Sequence, residues 1–295
     1  MSHHPLRIIA AIVGALVVLM ALAPFLNHAD QFRPLIEGRA STALGRKVDI
    51  GNLTLSLSSR SLTAETLTVA DDPKFSSAPF LTAKSVSVGV ELLPLILSRS
   101  LKVTSIIIDS PQVTLLWNSA GRWNYSSLGS SPAAVGNMAL TKVQWKNGKV
   151  AVGSTNSPKR SIYDRIDLIA SDVAVTSMFP VIASGDLDGG GHFRLAGTVG
   201  PLNQADASLT PLDGRIIVNG LNLAARGFLN PSVGLGGVLD LDATIASKDD
   251  EREITGVATI SKALLVAGGA PSARPVTVDF NATYNGERRE EFPPR

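Results

Sequence analysis

The chain has 295 residues, a formal net charge of +2 from 27 basic and 25 acidic residues, and no cysteine. That balance supplies no clustered basic face, so no nucleic-acid partner is expected, and it leaves neither a disulfide framework nor a thiolate metal site. Hydrophobic residues make up 44 % but aromatics only 5 %, an aliphatic content suited to pleated, half-buried strands.

Residues 8–26 (IIAAIVGALVVLMALAPFL) run for 19 positions without a charge. At about 1.5 Å per residue they reach roughly 30 Å, the thickness of a bilayer core. This predicts a single transmembrane anchor preceded by a short cytoplasmic tail, residues 1–7. A cleaved signal peptide has a shorter apolar run of ~7–15 residues, and here the small-x-small site Ala21-Leu22-Ala23 is followed directly by Pro24. Charge leaves the orientation open. Arg7 precedes the segment, whereas Arg33, Arg39, Arg46 and Lys47 follow it, yet large trailing domains translocate largely regardless of loop charge.

The next segment predicts one short amphipathic helix over 30–44. Phe32, Leu35, Ile36, Ala40, Ala43 and Leu44 recur at three- and four-residue spacing. Asp30 reads as its N-cap and Gly45 as the residue that ends it. Pro34 falls in the first turn, where proline is tolerated.

After Val48 the period becomes two. Leu53, Leu55 and Leu57 alternate with Thr54 and Ser56, and Val86, Val88 and Val90 with Ser87 and Gly89. Leu239, Leu241, Ala243 and Ile245 alternate with Asp240, Asp242 and Thr244, and Val276, Val278, Phe280, Ala282 and Tyr284 with Thr277, Asp279, Asn281 and Thr283. Each set sends one face into an apolar environment and the other into water. Turn signals separate the runs, and Asn147-Gly148 reads as a two-residue hairpin. Successive strands without intervening helices pair antiparallel. At ~12–15 residues per strand and turn, the region holds about 16–20 strands, stacked over roughly 75–95 Å, and a sheet that long must curl or split. The fold class expected is therefore all-β, an elongated, curled antiparallel sheet, with an N-terminal transmembrane helix. The Ser-, Gly- and Pro-rich stretch 126–135 divides the β region into a first module, 27–130, and a second, 131–285. The charged tail 286–295 reads as disordered.

No catalytic motif appears: there is no G-x-S-x-G, H-E-x-x-H, Walker A or zinc pattern. No enzyme activity, metal or cofactor is expected. His192 stands alone beside a glycine run and reads as a turn residue. Asp186-Leu187-Asp188-Gly189 has the opening of a calcium loop without its downstream ligands. Asp240 and Asp242 share a strand face and read as solvated. The run 249–253 (DDERE) reads as a charged hairpin loop. Trp117, Trp123 and Trp145 are read as packing residues ahead of lipid contacts.

The stretch 31–128 resembles the N-terminal region of the AsmA family of bacterial envelope proteins. The matching pieces are the apolar anchor, Gly45-Arg46-Lys47-Val48, residues 62–72 (LTAETLTVADD), Phe80-Leu81-Thr82-Ala83-Lys84, Leu92-Leu93-Pro94-Leu95-Ile96, Leu101-Lys102-Val103, Ile108-Asp109-Ser110-Pro111 and Gly121-Arg122-Trp123-Asn124. Their order over about 100 residues carries the resemblance; the part from Gly200 to Tyr284 is similar with less specificity. The resemblance implies an inner-membrane anchor with a periplasmic domain. It also implies a curled sheet with an apolar groove akin to chorein-type bridge proteins, and a part in outer-membrane biogenesis through phospholipid. Membrane phospholipid is then the expected partner, with other envelope proteins as further partners. The candidate lipid-facing residues are Leu53, Leu55, Leu57, Val86, Val88, Val90, Leu239 and Leu241. The candidate headgroup contacts are Arg33, Arg39, Arg46 and Lys47. The alternative is a scaffold or regulator of outer-membrane protein assembly that carries no lipid and recruits partners at a sheet edge.

Overall fold

A computed structural model describes residues 29–285 except 57, 92, 95–97, 99–101, 129–138, 204–208, 225–235, 249–250, 265 and 267–268. The expected anchor, Leu57, residues 129–135 of the expected linker and the tail lie outside the described residues; the start of that linker, Ser126 to Leu128, is packed instead, with Ser126 buried in a 3-10 turn and Leu128 against the core. Among the described residues no helix is long and apolar enough to cross a membrane.

The expected short helix forms as α1 (Arg33–Leu44), entered through a 3-10 turn, Ala29–Phe32. Pro34 occupies its first turn, and Gly45 ends it in the left-handed conformation at φ 64°. Asp30 does not cap it; Phe32 takes that position and offers no side-chain acceptor. Phe32, Ile36, Ala40 and Leu44, spaced by four, pack on the sheet, whereas Leu35 is exposed.

Among the described residues after Gly45 the regular structure is strand, apart from helical residues at Leu93, Pro94, Ser98 and Leu209 and one turn of 3-10 helix at Asn124–Ser127. The first eight strands are β1 (Val48–Ile50), β2 (Leu53–Ser56), β3 (Ser61–Ala64), β4 (Leu67–Ala70), β5 (Pro79–Ala83), β6 (Ser85–Val90), β7 (Val103–Asp109) and β8 (Gln112–Trp117). They join end to end in pairs as four bent strands. At the first bend, Gly51 N–H donates to Thr66 O (3.0 Å) and Glu65 N–H to Asn52 O (3.2 Å), so pairing runs through it. The bent strand β1–β2 pairs with β3–β4, that with β5–β6, and that with β7–β8.

The long strand β9 (Ala139–Ser154) lies parallel to both halves of β7–β8. From there the chain is an antiparallel meander: β10 (Ser161–Ala174), β11 (Phe179–Asp186), β12 (His192–Val199), β13 (Leu212–Asn222), β14 (Gly236–Lys248), β15 (Glu251–Leu264) and β16 (Val276–Asn285).

Three expectations are corrected here. Asn147-Gly148 is no hairpin. It sits in mid-strand, where β9 carries one residue more than β10 between Trp145 and Gly148 and Asn147 takes φ 51°. This bulge matches the bend of the neighbouring strand at Ser110-Pro111, where Ser110 N–H donates to Lys146 O (2.8 Å) and Lys149 N–H to Pro111 O (2.7 Å). The turn-forming pair serves a kink because its neighbours on both sides are already paired. The stack is also shorter than expected. Among the described residues sixteen strand segments occupy twelve positions across the sheet, or about 53 Å at ~4.8 Å per step, because the short segments lie end to end. The pairing of β7–β8 with β9 is parallel, where antiparallel pairing alone was expected.

The main core lies in the bent half. Leu53, Leu55, Leu62, Ala64, Val69, Leu81, Val86, Val90, Ile108 and Val113 are buried together under the apolar side of α1. A smaller cluster of Ala170, Phe179 and Val181 continues it into the meander.

Candidate functional site: an apolar sheet face

Residues paired across neighbouring strands share a face, so the register fixes which side chains line up across the meander. One row runs Leu168, Ala183, Leu195, Ile216, Ala243, Gly256, Phe280. The row beside it runs Ala170, Val181, Gly197, Gly214, Ile245, Ile254, Ala282. On the other side lie Phe193, Val218, Leu241, Ala258, Val278, and then Leu221, Leu239, Ile260, Val276. Every member of these four rows is aliphatic, phenylalanine or glycine. The same face passes through Val143 and Trp145 of β9 to Ile106 and Ile108 of β7, and on to Val88, Val86, Leu62, Ala64, Leu55 and Leu53.

Its cover thins along the sheet. In the bent half it is closed core. On β11 it is still buried, at Phe179, Val181, Ala183 and Gly185. Across β12 to β15 most of its residues are half-buried, with Val218, Leu221 and Ala243 buried. On β16 Val276 and Val278 are 40 % and 46 % exposed. Two glycines let neighbouring backbones approach within this face. A Cβ on Gly197 would lie 2.1 Å from Asp213 O, and one on Gly214 would lie 2.6 Å from Ala196 O.

The candidate residues divide accordingly. Leu53, Leu55, Val86 and Val90 are buried in the closed core, and Val88 packs against it. Leu239 and Leu241 stand half-buried on the open part of the face. Of the basic candidates, Arg39 is exposed on α1. Lys47 is exposed and pairs with Asp49 at 2.8 Å, which raises the Lys47 pKa. Arg33 donates to Asp30 (2.6 Å) and Asn52 (3.3 Å). Arg46 departs from the set because it is buried. Its guanidinium donates to Asp71 Oδ1 (3.1 Å), Asn124 O (2.7 Å) and Ser127 Oγ (2.8 Å).

Asn124 completes this network. Its amide donates to Asp71 Oδ2 and to Thr114 O, each at 2.9 Å, and its carbonyl accepts from Leu116 N–H at 3.0 Å. Asp71 and Asn124 were not singled out from the sequence. The available signal was that Gly45-Arg46, the end of 62–72 and Gly121-Arg122-Trp123-Asn124 are all pieces of the family resemblance; the fold brings them to one point. Trp123 stacks edge-on to Trp117 (5.3 Å between centroids) and lies 5.5 Å from Tyr125, and Trp145 packs on the core, so these rings act in packing.

The opposite face of the meander is mostly polar, with Ile169, Ile182 and Val257 exposed on it. A trough of about 960 Å³ there is lined by Arg215, Asn219, Asp240, Asp242, Asp279 and Asn281 with Ile217 and Val257 among them. Asp240 and Asp242 lie on this solvated face, as expected. Asp242 accepts from Arg215, which lowers its pKa and raises that of Arg215. Asp240 accepts from Gly220 N–H at 2.8 Å. His192 closes a hairpin and meets Asp186 at 3.1 Å, and Arg165 pairs with the same carboxylate. Glu251, Arg252 and Glu253 belong to β15 and not to a loop. Among the described residues no group of three metal-ligating side chains comes together.

No curated protein matches the chain. A model of the AsmA family matches residues 3–178, which is more than half of the chain and includes the whole bent half of the sheet, so the protein belongs to the AsmA family.

Proposed function

We propose that the open apolar face over β12–β16 holds the acyl chains of a membrane phospholipid. The protein would work from the periplasmic side of the inner membrane, anchored by residues 8–26, in envelope biogenesis. No covalent chemistry is involved. Acyl chains moving between membranes need a path out of water, and burying them is favourable in proportion to the apolar area covered. The observation that carries the reading is the four-row apolar face, free of any polar side chain, whose cover thins towards β16. Family membership supports the envelope setting. Arg39 and Lys47, exposed and following residues 8–26 closely in sequence, would meet anionic headgroups, where a basic residue contributes about 1 kcal/mol.

A photo-crosslinking amino acid at Leu241 or Ile216, in full-length protein in membranes, tests this. Phospholipid attached at these positions, and not at Asp242 or Thr244 on the other face, is the expected result. Crosslinks to protein alone at both faces would favour the scaffold reading.

A further inference from the structure

The helical segment fixes where the chain enters the sheet. Its side chains seal the outer edge of β1–β2. Leu53 N–H donates to Asp30 Oδ1 (3.0 Å), Ile50 N–H to Glu37 Oε1 (2.9 Å) and Val48 N–H to Ser41 Oγ (2.9 Å). The segment therefore runs antiparallel to β1–β2, with its first residues beside β2 and its last beside the start of β1. Strand β2 ends at Ser56, about 10 Å beyond Leu53 at ~3.3 Å per residue. Three chain steps join residue 26, the end of the apolar run, to Ala29, and they reach at most about 11 Å. An anchor at 8–26 thus keeps the bilayer close to the β2 end of the sheet.

The register defines a rim of strand ends running on from Ser56. Ser56 faces Ser61 of β3, which faces Gly89 near the end of β6, and Val90 faces Val103 at the start of β7. Strand β9 starts beside β7, and its Ala139 faces Ala174 at the end of β10. Phe179 opens β11 and faces Val199, which faces Leu212. The connections along this rim expose Leu93, Met178, Leu202 and Leu209, with Leu93 72 % and Met178 47 % accessible. Three of the four form one group: Gly200 lies against Ser177 and Met178, Leu202 N–H donates to Val175 O (2.9 Å), and Asn203 N–H donates to Thr210 Oγ1 (3.1 Å). The opposite rim differs. Apart from the face residues Val276 and Val278, its exposed large apolar side chains among the described residues are Trp117 and Val266. These lie seven strand positions apart, roughly 34 Å at ~4.8 Å per step. The turns between them include 155–160 (TNSPKR) and 187–191 (LDGGG), which offer little apolar surface.

Two seatings satisfy the short tether. In one, the outer side of β1–β2 lies against the bilayer, but that side presents α1, whose exposed residues Pro34, Leu35, Gly38, Arg39 and Thr42 include one large aliphatic side chain. In the other, the rim lies against it and offers four. We propose that the rim carrying Leu93, Met178, Leu202 and Leu209 rests on the bilayer that holds the anchor, with these side chains at the boundary of headgroups and acyl chains. Apolar side chains held at that boundary sit about 5–10 Å deep. The strands then stand along the membrane normal, and the apolar rows run along the membrane surface. The row nearest the leaflet is Ala170, Val181, Gly197, Gly214, Ile245, Ile254 and Ala282, so a lipid enters the face sideways from the leaflet beneath it and not from one end of the rows. This seating narrows the headgroup contacts to Arg39, because Lys47 precedes β1 at the opposite rim. The inference rests on the reading of residues 8–26 as an anchor and not on the cargo.

The absence of cysteine allows the test in the full chain, reconstituted into vesicles of phosphatidylethanolamine and phosphatidylglycerol. Single Met178→Cys, Leu202→Cys and Asn156→Cys chains carry an environment-sensitive fluorophore on the thiol. Asn156 is exposed in the turn between β9 and β10, on the opposite rim. A phospholipid spin-labelled near the top of its acyl chain is expected to quench the first two at least about threefold more strongly than the third, as residence at the boundary requires. Alkaline carbonate extraction of the same vesicles reads the anchor separately. Equal quenching at all three positions, in a chain that resists extraction, overturns the rim seating and leaves the anchor standing. Stronger quenching at Asn156 places the other rim on the bilayer and overturns it too. A chain that carbonate extracts has no anchor there, and the proposal falls with it.

Discussion

Arg46 and Asp71 form an ion pair at 3.1 Å with side chains only 6 % and 1 % exposed, linking the end of α1 to the end of β4. Burying two charges is costly, and the arrangement holds because Asn124 and Ser127 satisfy their remaining donors and acceptors. Replacing Arg46 by Met leaves Asp71 charged and buried. The expected loss is about 3–5 kcal/mol, read as a lowered denaturant midpoint. Arg46→Met with Asp71→Leu should recover much of it. Equal losses in the single and double variants would show that the pair does not act as a unit.

Closed core and open face respond differently to truncation. Leu62 is 1 % exposed at the centre of the bent half, and Leu62→Ala is expected to cost about 2–5 kcal/mol. Leu241→Asp should leave the circular dichroism spectrum native while abolishing lipid crosslinking from Ile216. Retained crosslinking in a folded Leu241→Asp chain would remove the apolar face from the function.

The contact between Gly197 and Gly214 fixes how closely β12 and β13 approach on the apolar side. Gly197→Ala sets a methyl against Asp213 O and the Gly214 backbone, neither of which is a flexible side chain. Overpacking of this kind costs about 1–3 kcal/mol. Thermal melting checks it, and an unchanged midpoint would mean that the strands separate freely.

Asp30 gives the sealed edge a pH dependence. Its pKa is lowered first by accepting Leu53 N–H and then by Arg33. A carboxyl with a depressed folded pKa contributes stability above its unfolded value, and that contribution is lost as pH falls through the folded value. Amide exchange at Leu53 should therefore accelerate, relative to its intrinsic rate, below about pH 4. The Asp30→Asn variant should show no such step.

The period-two pattern made the faces legible: Leu239, Leu241, Val276 and Val278 stand on one side, Asp240, Asp242 and Asp279 on the other. The helix and its glycine end were equally plain. The bends were not, because an Asn-Gly pair carries the same local preference in a hairpin and in a bulge, and only the bent neighbour at Ser110-Pro111 decides between them. Nor could alternation separate Leu55 from Leu241. Both sit on the apolar face, and closure over one and not the other depends on where the sheet folds back and where α1 lies. Arg46 read as a surface cation because the partners that bury it, Asp71 and Asn124, are 25 and 78 residues away in sequence.

From β9 onward, strand order follows chain order. Such a meander behaves as a ruler built outward from the bent half. Adding or removing one hairpin at the β16 end changes its length by about 10 Å while leaving every earlier register, the side on which the apolar rows lie and the direction of the terminal strand intact. Removing a single strand would instead reverse the direction of the terminal strand. Reach can therefore be tuned in steps of two strands without redesigning the bent half.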